Sequence, residues 1–583
     1  MEPSEKPAWP SPDVDPVTQY ARRLKERQVQ RTRLAEKYRR LMRVRMVFLA
    51  LVVAVAWLAE KERLLPLLLL PPALALEGII RWRHRVHKVW WRTANAVRFN
   101  RRLLDRLEGR WAGHGDPGTR FLDESHPFAL DLDLFGSGSL FERLCLDGTG
   151  LGQVALASWL RSPSPAPVVR DRQAAVRELG PRLDLREDLA VLGAEAPAGG
   201  NLDELAAWGQ SPVSTQPNWS RRLILVLGLT SLVCVGLCAG GSGPIAFLTA
   251  LLMAGLAAWL HDRTRSAPSG IEGKAAELAF FAAVLARLER ERFASPLSSR
   301  LRSELDCGGQ SAAHHIARLR WLAILPVPWL TTAWKKRFGP MFSRWLATVR
   351  EFEALNALAA YAYENPADLF PEVIESGPCF LAEELGHPLL PRDRCICNDV
   401  CLDSSCSVLV ISGSNMSGKS TLLRTVGTNA ILALAGAPVR AKRLSLSSLT
   451  LGATLRIQDS LQAGRSRFYA EVARVRQLLD LAKGPVPLLF LLDELFSGTN
   501  SNDRRLGAEA VVRTLLNGHA LGLLTTHDLA LTHLADQLAP RVVNVHFADS
   551  FVDGQLTFDY RVRMGVCPSS NGLALMRAVG IVV

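Results

Sequence analysis

The sequence lacks the two features that mark most exported proteins. Its ten cysteines show none of the spacing of a secreted disulfide framework. Residues 1–45 are polar and rich in arginine, and they are too long for the charged region of a cleavable signal peptide, so no such peptide is predicted. The sequence therefore does not fit the class of small disulfide-stabilised secreted domains.

Acidic residues are the minority charge, and no internal repeat is apparent. The chain has 56 Asp and Glu against 69 Lys and Arg, which gives a formal net charge of +13. A basic balance favours a polyanionic partner, either nucleic acid or an anionic membrane leaflet, and the charge alone does not choose between them. At 583 residues the chain is long enough for about three or four domains.

A phosphate-binding loop is the most informative motif. Residues 413–420 fit the pattern G-x-x-x-x-G-K-[ST], between an apolar run at 407–411 that predicts a buried strand and a predicted helix at 421–435. In this setting backbone N–H groups and the helix N-terminus bind the β-phosphate of ATP, Lys419 reaches the β/γ oxygens and Ser420 ligates Mg²⁺. The predicted nucleotide-binding residues are Gly413, Ser414, Asn415, Met416, Ser417, Gly418, Lys419, Ser420 and Thr421.

Two later strands end in residues suited to hydrolysis. The apolar run from Pro487 ends in Asp493 and Glu494, and such a continuous run is typical of a strand buried in a parallel sheet. We expect Asp493 to hold Mg²⁺ through water and Glu494 to polarise the attacking water. A second apolar run ends at His527, which would then lie on the ligand-binding edge of the sheet and contact the γ-phosphate.

Four apolar segments predict two transmembrane helical hairpins. They cover residues 46–59 and 64–80, then 223–239 and 244–260, and arginines flank each pair on its outer side. The positive-inside rule then places both hairpin tips outside and the remaining chain, including the nucleotide domain, in the cytoplasm of a multi-pass cell-membrane protein. The alternative is that these segments are buried helices of a domain without membrane spans.

The motifs around the loop resemble the ATPase domain of the MutS family of DNA mismatch repair proteins. The resemblance covers about residues 380–583, and a weaker one extends over residues 126–194, similar to the start of the MutS core. It is carried by the phosphate loop, by Gly464–Glu471, by Asp493–Asp503, by Thr525-Thr-His527 and by the C-terminal segment from Tyr560. It implies an ABC-type ATPase that uses ATP and Mg²⁺, forms a homodimer and acts on DNA. By the same resemblance, Ser466 contacts the γ-phosphate of the partner chain.

The sequence departs from the family pattern at three places. Phe496 and Ser497 stand where the family has Gly-Arg, and Ser417 replaces a phosphate-loop glycine. No N-terminal mismatch-reading domain and no long DNA clamp are evident, so we expect the protein to act on DNA structures without reading mismatches. A Phe-x-Glu pattern at 370–372 lies too close to the ATPase domain to be the mismatch wedge and is interpreted as chance.

The predicted fold is an α/β P-loop NTPase domain joined to an all-α core with the two hairpins. The predicted boundaries are a disordered segment and basic helix at 1–45, hairpins at 46–80 and 223–260, helical core at 81–222 and 261–379, and the ATPase domain at 380–583. Within the first part of the core, the alternation of apolar and polar residues at 126–139 predicts a strand and a glycine turn before helices. A rival function is an ABC-like mechanoenzyme acting on a membrane partner without DNA, and another is a soluble mismatch-repair paralogue. The cysteines at 395, 397, 401 and 406 lack paired C-x₂-C knuckles and predict core packing rather than a zinc site.

Overall fold

The fold was analysed in a computed structural model. It describes residues 15–61, 70–146, 149–197, 201–212, 274–307, 309–324, 328–414, 416–456, 467–496, 498–527, 531–552 and 555–567, with five single positions between 213 and 273. Structural statements below refer to these residues.

Two long helices form the N-terminal part of the described chain. Helix α1 (Pro16–Lys61) packs along helix α2 (Leu70–Leu107). The C-terminal end of α2 is joined to the rest of the molecule by a buried ion pair, in which Glu364 accepts from Arg106 at 3.2 Å. Glu364 also accepts from Arg143 at 3.0 Å. Breaking the Arg106–Glu364 pair would leave a buried charge without compensation, so this contact holds the C-terminal end of α2 in place.

A helical region follows. Its helices are α3 (Leu140–Leu144), α4 (Leu151–Arg161), α5 (Ala166–Leu179), α6 (Leu183–Gly193), α7 (Leu202–Gln210), α8 (Ala275–Glu289), α9 (Pro296–Glu304), α10 (Ala312–Ile324) and α11 (Pro328–Glu364). A two-stranded ribbon, β1 (Asp306–Cys307) with β2 (Gln310–Ser311), connects α9 to α10. The long helix α11 packs against α4, α5 and α7, so it is the central element of this region.

The prediction of transmembrane hairpins, and of a multi-pass membrane location with it, is wrong for the described chain. No helix there combines the length and the apolar composition that crossing a bilayer requires. The first apolar stretch, 46–59, is the end of α1 and continues directly from its arginine-rich part. Its 14 helical residues extend about 21 Å, against a hydrocarbon core of about 30 Å. Residues 64–69 and nearly all of 223–260 lie outside the described residues.

Residues 126–139 also differ from expectation. Their alternation of apolar and polar residues predicts a strand, yet the segment consists of successive turns before α3. Its apolar side chains are buried although no strand forms; Leu132, for example, lies against Gly427 of the nucleotide domain. Asp131 accepts hydrogen bonds from the backbone N–H groups of Leu455 and Arg456, at 2.7 and 2.8 Å. The segment is therefore a turn-rich connection between the helical region and the nucleotide domain.

The C-terminal part contains two sheets. The smaller has strand order β3-β7-β4-β5, from β3 (Glu372–Ile374), β4 (Phe380–Leu385), β5 (Asn398–Leu402) and β7 (Arg443–Ser447). The larger has order β12-β11-β6-β10-β9-β8, from β6 (Val408–Ser412), β8 (Thr450–Thr454), β9 (Leu488–Leu492), β10 (Leu521–Thr525), β11 (Val542–Val552) and β12 (Gln555–Met564). Helices α12 (Lys419–Ala435), α13 (Arg467–Leu481), α14 (Ser501–Asn517) and α15 (His533–Leu538) accompany them.

The larger sheet explains why the predicted motifs meet. Strands β8, β9, β10, β6 and β11 are parallel, and only β12 runs antiparallel to its neighbour. Every residue of β6, β9 and β10 is buried, as the continuous apolar runs predict for strands covered on both faces. The carboxyl ends of these three strands therefore lie side by side at one edge of the sheet, where ligands bind in this class of fold.

Candidate functional site

The phosphate loop connects the end of β6 to the start of α12. Helix α12 begins at Lys419, two residues earlier than the sequence predicts. Gly418 precedes it with φ 102°, and Gly413 opens the loop with φ 146°, both in the region that favours glycine. A Cβ at Gly413 would lie 3.0 Å from Ser417 Oγ and 3.1 Å from the carbonyl oxygen of Phe547. The two glycines thus allow the backbone to turn tightly at the N-terminus of α12.

Lys419 is held across the loop. Its Nζ donates to the carbonyl oxygens of Gly413 at 2.9 Å and Ser414 at 2.8 Å, and lies 3.2 Å from His527 Nε2. Burial lowers the pKa of Lys419, and the nearby carboxylates of Glu494 and Asp493 act in the opposite direction. This cation is therefore buried, oriented and close to the residues at the ends of β9 and β10.

Two loop hydroxyls indicate how a phosphate would fit. Ser414 Oγ and Ser417 Oγ are buried, and neither has a hydrogen-bond partner within the described residues. Buried polar atoms without partners are rare in folded proteins, because leaving them unbonded costs free energy. A phosphate oxygen would accept from both, so the loop fits a bound phosphate group, including at Ser417, where the sequence departs from the family pattern.

The acids and the histidine meet at the same edge. Asp493 follows β9 directly, and Glu494 Oε1 lies 2.6 Å from His527 Nε2. Thr525, the last residue of β10, donates from its hydroxyl to Asp493 Oδ1 at 2.5 Å. The structure thus brings Lys419, Asp493, Glu494 and His527 together, as expected from the parallel strands.

The predicted magnesium ligands are a hydroxyl and a carboxylate. Ser420 lies in the first turn of α12, and Asp493 follows β9, which β10 separates from β6 in the sheet. Both supply the oxygen donors that Mg²⁺ prefers, and nucleotide phosphates and water complete such a shell in this class of site. In the part of the chain that is described, no group of three or more His, Cys, Asp or Glu side chains is arranged to hold a metal ion, and this includes the cysteines at 395–406.

A cavity beside the phosphate loop was not predicted from the sequence. It has a volume of about 270 Å³ and opens next to Gly418 and Thr421. Its walls include the partly exposed side chains of Ile396 and Tyr560. Asn398 joins its two sides, because its Nδ2 donates to the Tyr560 carbonyl at 3.0 Å and its Oδ1 accepts from Val562 N–H at 2.8 Å. An aromatic ring and an aliphatic side chain in the lining suit a planar base.

Two predicted residues lie outside the described chain. They are Asn415, in the phosphate loop, and Ser466, which immediately precedes α13. The start of α13 carries three exposed apolar side chains, since Phe468, Tyr469 and Val472 are 38%, 59% and 41% exposed. These residues follow Ser466, which the family resemblance assigns to the γ-phosphate contact with the partner chain.

Comparison with known proteins gives the same assignment for the C-terminal part. Residues 409–582 match the family model described as MutS domain V. Over 251 residues, 42% of this chain and 29% of the relative, the chain is 32% identical to DNA mismatch repair protein MutS 2 of Halobacterium salinarum. Over 232 residues, 39% of this chain and 26% of the relative, it is 32% identical to DNA mismatch repair protein MutS of Brevibacillus brevis.

The chain thus spans less than a third of the length of these curated relatives. The matched residues include the phosphate loop, both carboxylates at the end of β9 and the histidine after β10. The C-terminal domain of the chain is thus similar to domain V of MutS proteins.

Proposed function

We propose that the protein is a Mg²⁺-dependent ATPase that couples ATP hydrolysis to movement of its helical region. The proposal depends on one observation above all: Lys419, Asp493, Glu494 and His527 meet at the carboxyl edge of a parallel sheet, beside a phosphate loop with two unbonded hydroxyls. Such a cluster combines anion binding, metal coordination and a carboxylate that can orient water, which are the parts that phosphoryl transfer needs.

Each residue then has a defined task. Lys419 leaves the loop carbonyls and pairs with the β/γ oxygens, and Ser420 and Asp493 hold Mg²⁺, which neutralises charge that develops on the phosphates. Glu494 accepts a hydrogen bond from the attacking water and orients it towards the γ-phosphorus. His527, 2.6 Å from Glu494 in this structure, would contact the γ-phosphate when nucleotide is present.

The cavity next to the loop would take the adenine base. It lies beside Gly418 and Thr421 at the N-terminus of α12, and its Tyr560 belongs to β12, on the opposite side of β6 from β9 and Asp493. Tyr560 would stack on the base and Ile396 would contact the opposite face, since aromatic and aliphatic walls favour a planar ring. Weaker ATP binding by a Tyr560→Ala variant is the expected sign of this contact.

The same proposal includes a homodimer and a DNA partner. Ser466, just before α13, would complete the γ-phosphate site of the partner chain, and the exposed apolar residues at the start of α13 would lie in that contact. DNA is proposed from the names of the relatives and from the net charge of +13. A titration of DNA binding against salt tests it, because phosphate contacts give a steep negative slope of log affinity on log salt.

The direct test of the ATPase proposal is a comparison with Lys419→Ala. The unaltered protein should release phosphate from ATP only with Mg²⁺, and the variant should lose nucleotide binding because the cation paired with the phosphates is gone. Lys483→Ala, at an exposed position two residues after the end of α13, is the matched control for removing a lysine. Equal turnover by the Lys419→Ala protein would contradict the proposed site.

A further inference from the structure

The loop after β9 has an unusual backbone. Glu494 has φ 50° and Phe496 has φ 58°, so two residues with side chains lie in the left-handed region within three positions. That region is unfavourable for any residue with a Cβ, and a phenylalanine there is uncommon. Such a conformation persists only where neighbouring groups hold it, and it often occurs at functional sites.

Thr525 holds the first half of this loop. Its side chain is fully buried at the end of β10, and its hydroxyl makes two hydrogen bonds. It donates to Asp493 Oδ1 at 2.5 Å and accepts from the backbone N–H of Glu494 at 3.0 Å. One hydroxyl therefore fixes the carboxylate of one acid and the main chain of the next, using its single hydrogen and one lone pair.

A second group of contacts holds the other half of the loop. The backbone N–H of Phe496 donates to the buried carboxylate of Glu471, on α13. The Phe496 ring packs edge-on against Phe468, with 6.2 Å between ring centroids, and lies against Gly507 of α14. These contacts hold Phe496, whereas the Thr525 hydroxyl bonds to Asp493 and Glu494 themselves.

We propose that Thr525 is a positioning residue for hydrolysis, which holds Asp493 and Glu494 in the geometry that Mg²⁺ and the attacking water require. The proposal rests on the proposed ATPase function and adds a role for a residue that touches neither nucleotide nor metal. By occupying Oδ1 of Asp493, Thr525 turns the other carboxylate oxygen towards the metal side. By bonding to Glu494 N–H, it keeps the left-handed turn that directs the Glu494 side chain towards His527.

The two natural substitutes for threonine separate this role from packing. Valine has nearly the same shape and fills the same buried space, but it can neither donate to Asp493 nor accept from Glu494. Serine keeps the hydroxyl and loses only a methyl group. If the hydroxyl positions the acids, valine should harm catalysis more than serine does. If the residue serves packing alone, the smaller serine should be the more harmful of the two.

The experiment compares Thr525→Val, Thr525→Ser and the surface control Thr514→Val, whose hydroxyl bonds only to the Ala510 carbonyl. The measurements are kcat, KM, the Mg²⁺ concentration for half-maximal rate, the Kd for a non-hydrolysable ATP analogue and the Tm. For Thr525→Val we expect kcat to fall by about ten- to a hundredfold, because the variant loses one hydrogen bond to a charged group and one to a backbone group beside the reacting atoms. The Mg²⁺ requirement should rise, and the Kd for the analogue should stay within about threefold, because phosphate binding uses Lys419 and the loop.

Thr525→Ser should recover most of the rate, and Thr514→Val should match the unaltered protein. A Thr525→Val protein with unaltered kcat, or a Thr525→Ser protein as slow as Thr525→Val, would overturn the positioning role while leaving the ATPase proposal intact. Loss of analogue binding in Thr525→Val together with a large fall in Tm would assign Thr525 to folding and also overturn it. Absence of turnover in the unaltered protein would contradict the ATPase function and, with it, this proposal.

Discussion

His387 links a single titratable side chain to the stability of the nucleotide domain. Burial, and then the nearby Arg424 and Arg440, lower the pKa of His387 to about 4. Its Nδ1 accepts a hydrogen bond from the backbone N–H of Leu389 at 3.2 Å, which requires that nitrogen to be unprotonated. Because the unfolded chain binds the proton more readily, stability due to His387 is present above pH 6.5 and lost as the pH falls towards 4.

The expected result is a fall in the free energy of unfolding between pH 6.5 and 4, of which His387 contributes at most about 3 kcal/mol. In a His387→Gln variant this part of the pH dependence should disappear, since glutamine does not titrate. Chemical denaturation at pH 7, 6, 5 and 4 measures it. His533→Gln, at an exposed surface position, is the control and should keep the full dependence. An unchanged dependence in the His387→Gln protein would show that the histidine is already protonated or exposed in the folded state.

The residues that were found from sequence share one property. Lys419, Asp493, Glu494 and His527 each lie within a short motif next to an apolar run, so linear spacing identifies them. Thr525 lies beside His527 in the sequence, yet its role depends on a strand neighbour that is separated by more than thirty residues. Ile396 and Tyr560 form one cavity from opposite ends of the domain, and no local pattern predicts that they meet.

Helices α7 and α11 cross at a pair of glycines. A Cβ built at Gly339 would lie 2.3 Å from the carbonyl oxygen of Gly209, and one at Gly209 would lie 2.8 Å from the carbonyl oxygen of Gly339. Neither neighbour is a flexible side chain, so the helices must move apart to accept even a methyl group. The contact places α7 directly on the central helix of the helical region.

We therefore expect Gly339→Ala to destabilise the protein by about 1–3 kcal/mol, the range for overpacking a close contact. Thermal unfolding should show a lower Tm. Gly78→Ala is the matched control, because a Cβ there meets nothing within 4 Å and alanine is the better helix former. That variant should be as stable as the unaltered protein or slightly more so. Equal Tm values for the two variants would contradict the close crossing of α7 and α11.

Prediction from sequence was correct for the elements whose burial is uniform. The strands at 408–412, 488–492 and 521–525 were found because they are almost entirely apolar and are bounded by polar motifs, and the helix at 419–435 was found because it follows the phosphate loop. The stretch at 46–59 has the same apolar character, but it is the end of one long helix and too short to span a bilayer. At 126–139, alternation predicts a strand, while the structure has successive turns with Leu132 against Gly427. The length of the first segment is decisive, whereas the second packs against the nucleotide domain, which its local pattern does not contain.

At the level of the assembled molecule, the proposed dimer predicts complementation between inactive variants. Lys419→Ala removes the phosphate-binding cation, and Ser466→Arg blocks the contact proposed for the partner's γ-phosphate. Each protein alone should be inactive. Mixed in equal amounts with free exchange, half of the dimers carry one intact composite site, so about a quarter of the unaltered activity should return. No recovery, with mixed dimers confirmed by pull-down, would indicate that each site is built within a single chain.

The central claim is that the cluster at the sheet edge hydrolyses ATP and that Glu494 orients the water. The most direct measurement is single-turnover hydrolysis of ATP by the Glu494→Gln protein, with the Kd for ATP determined on the same sample. Because glutamine keeps the shape of glutamate but cannot take up the proton of the attacking water, we expect binding close to that of the unaltered protein. Hydrolysis should be slower by about a hundredfold or more. A Glu494→Gln protein that binds ATP and hydrolyses it at the unaltered rate would contradict the account.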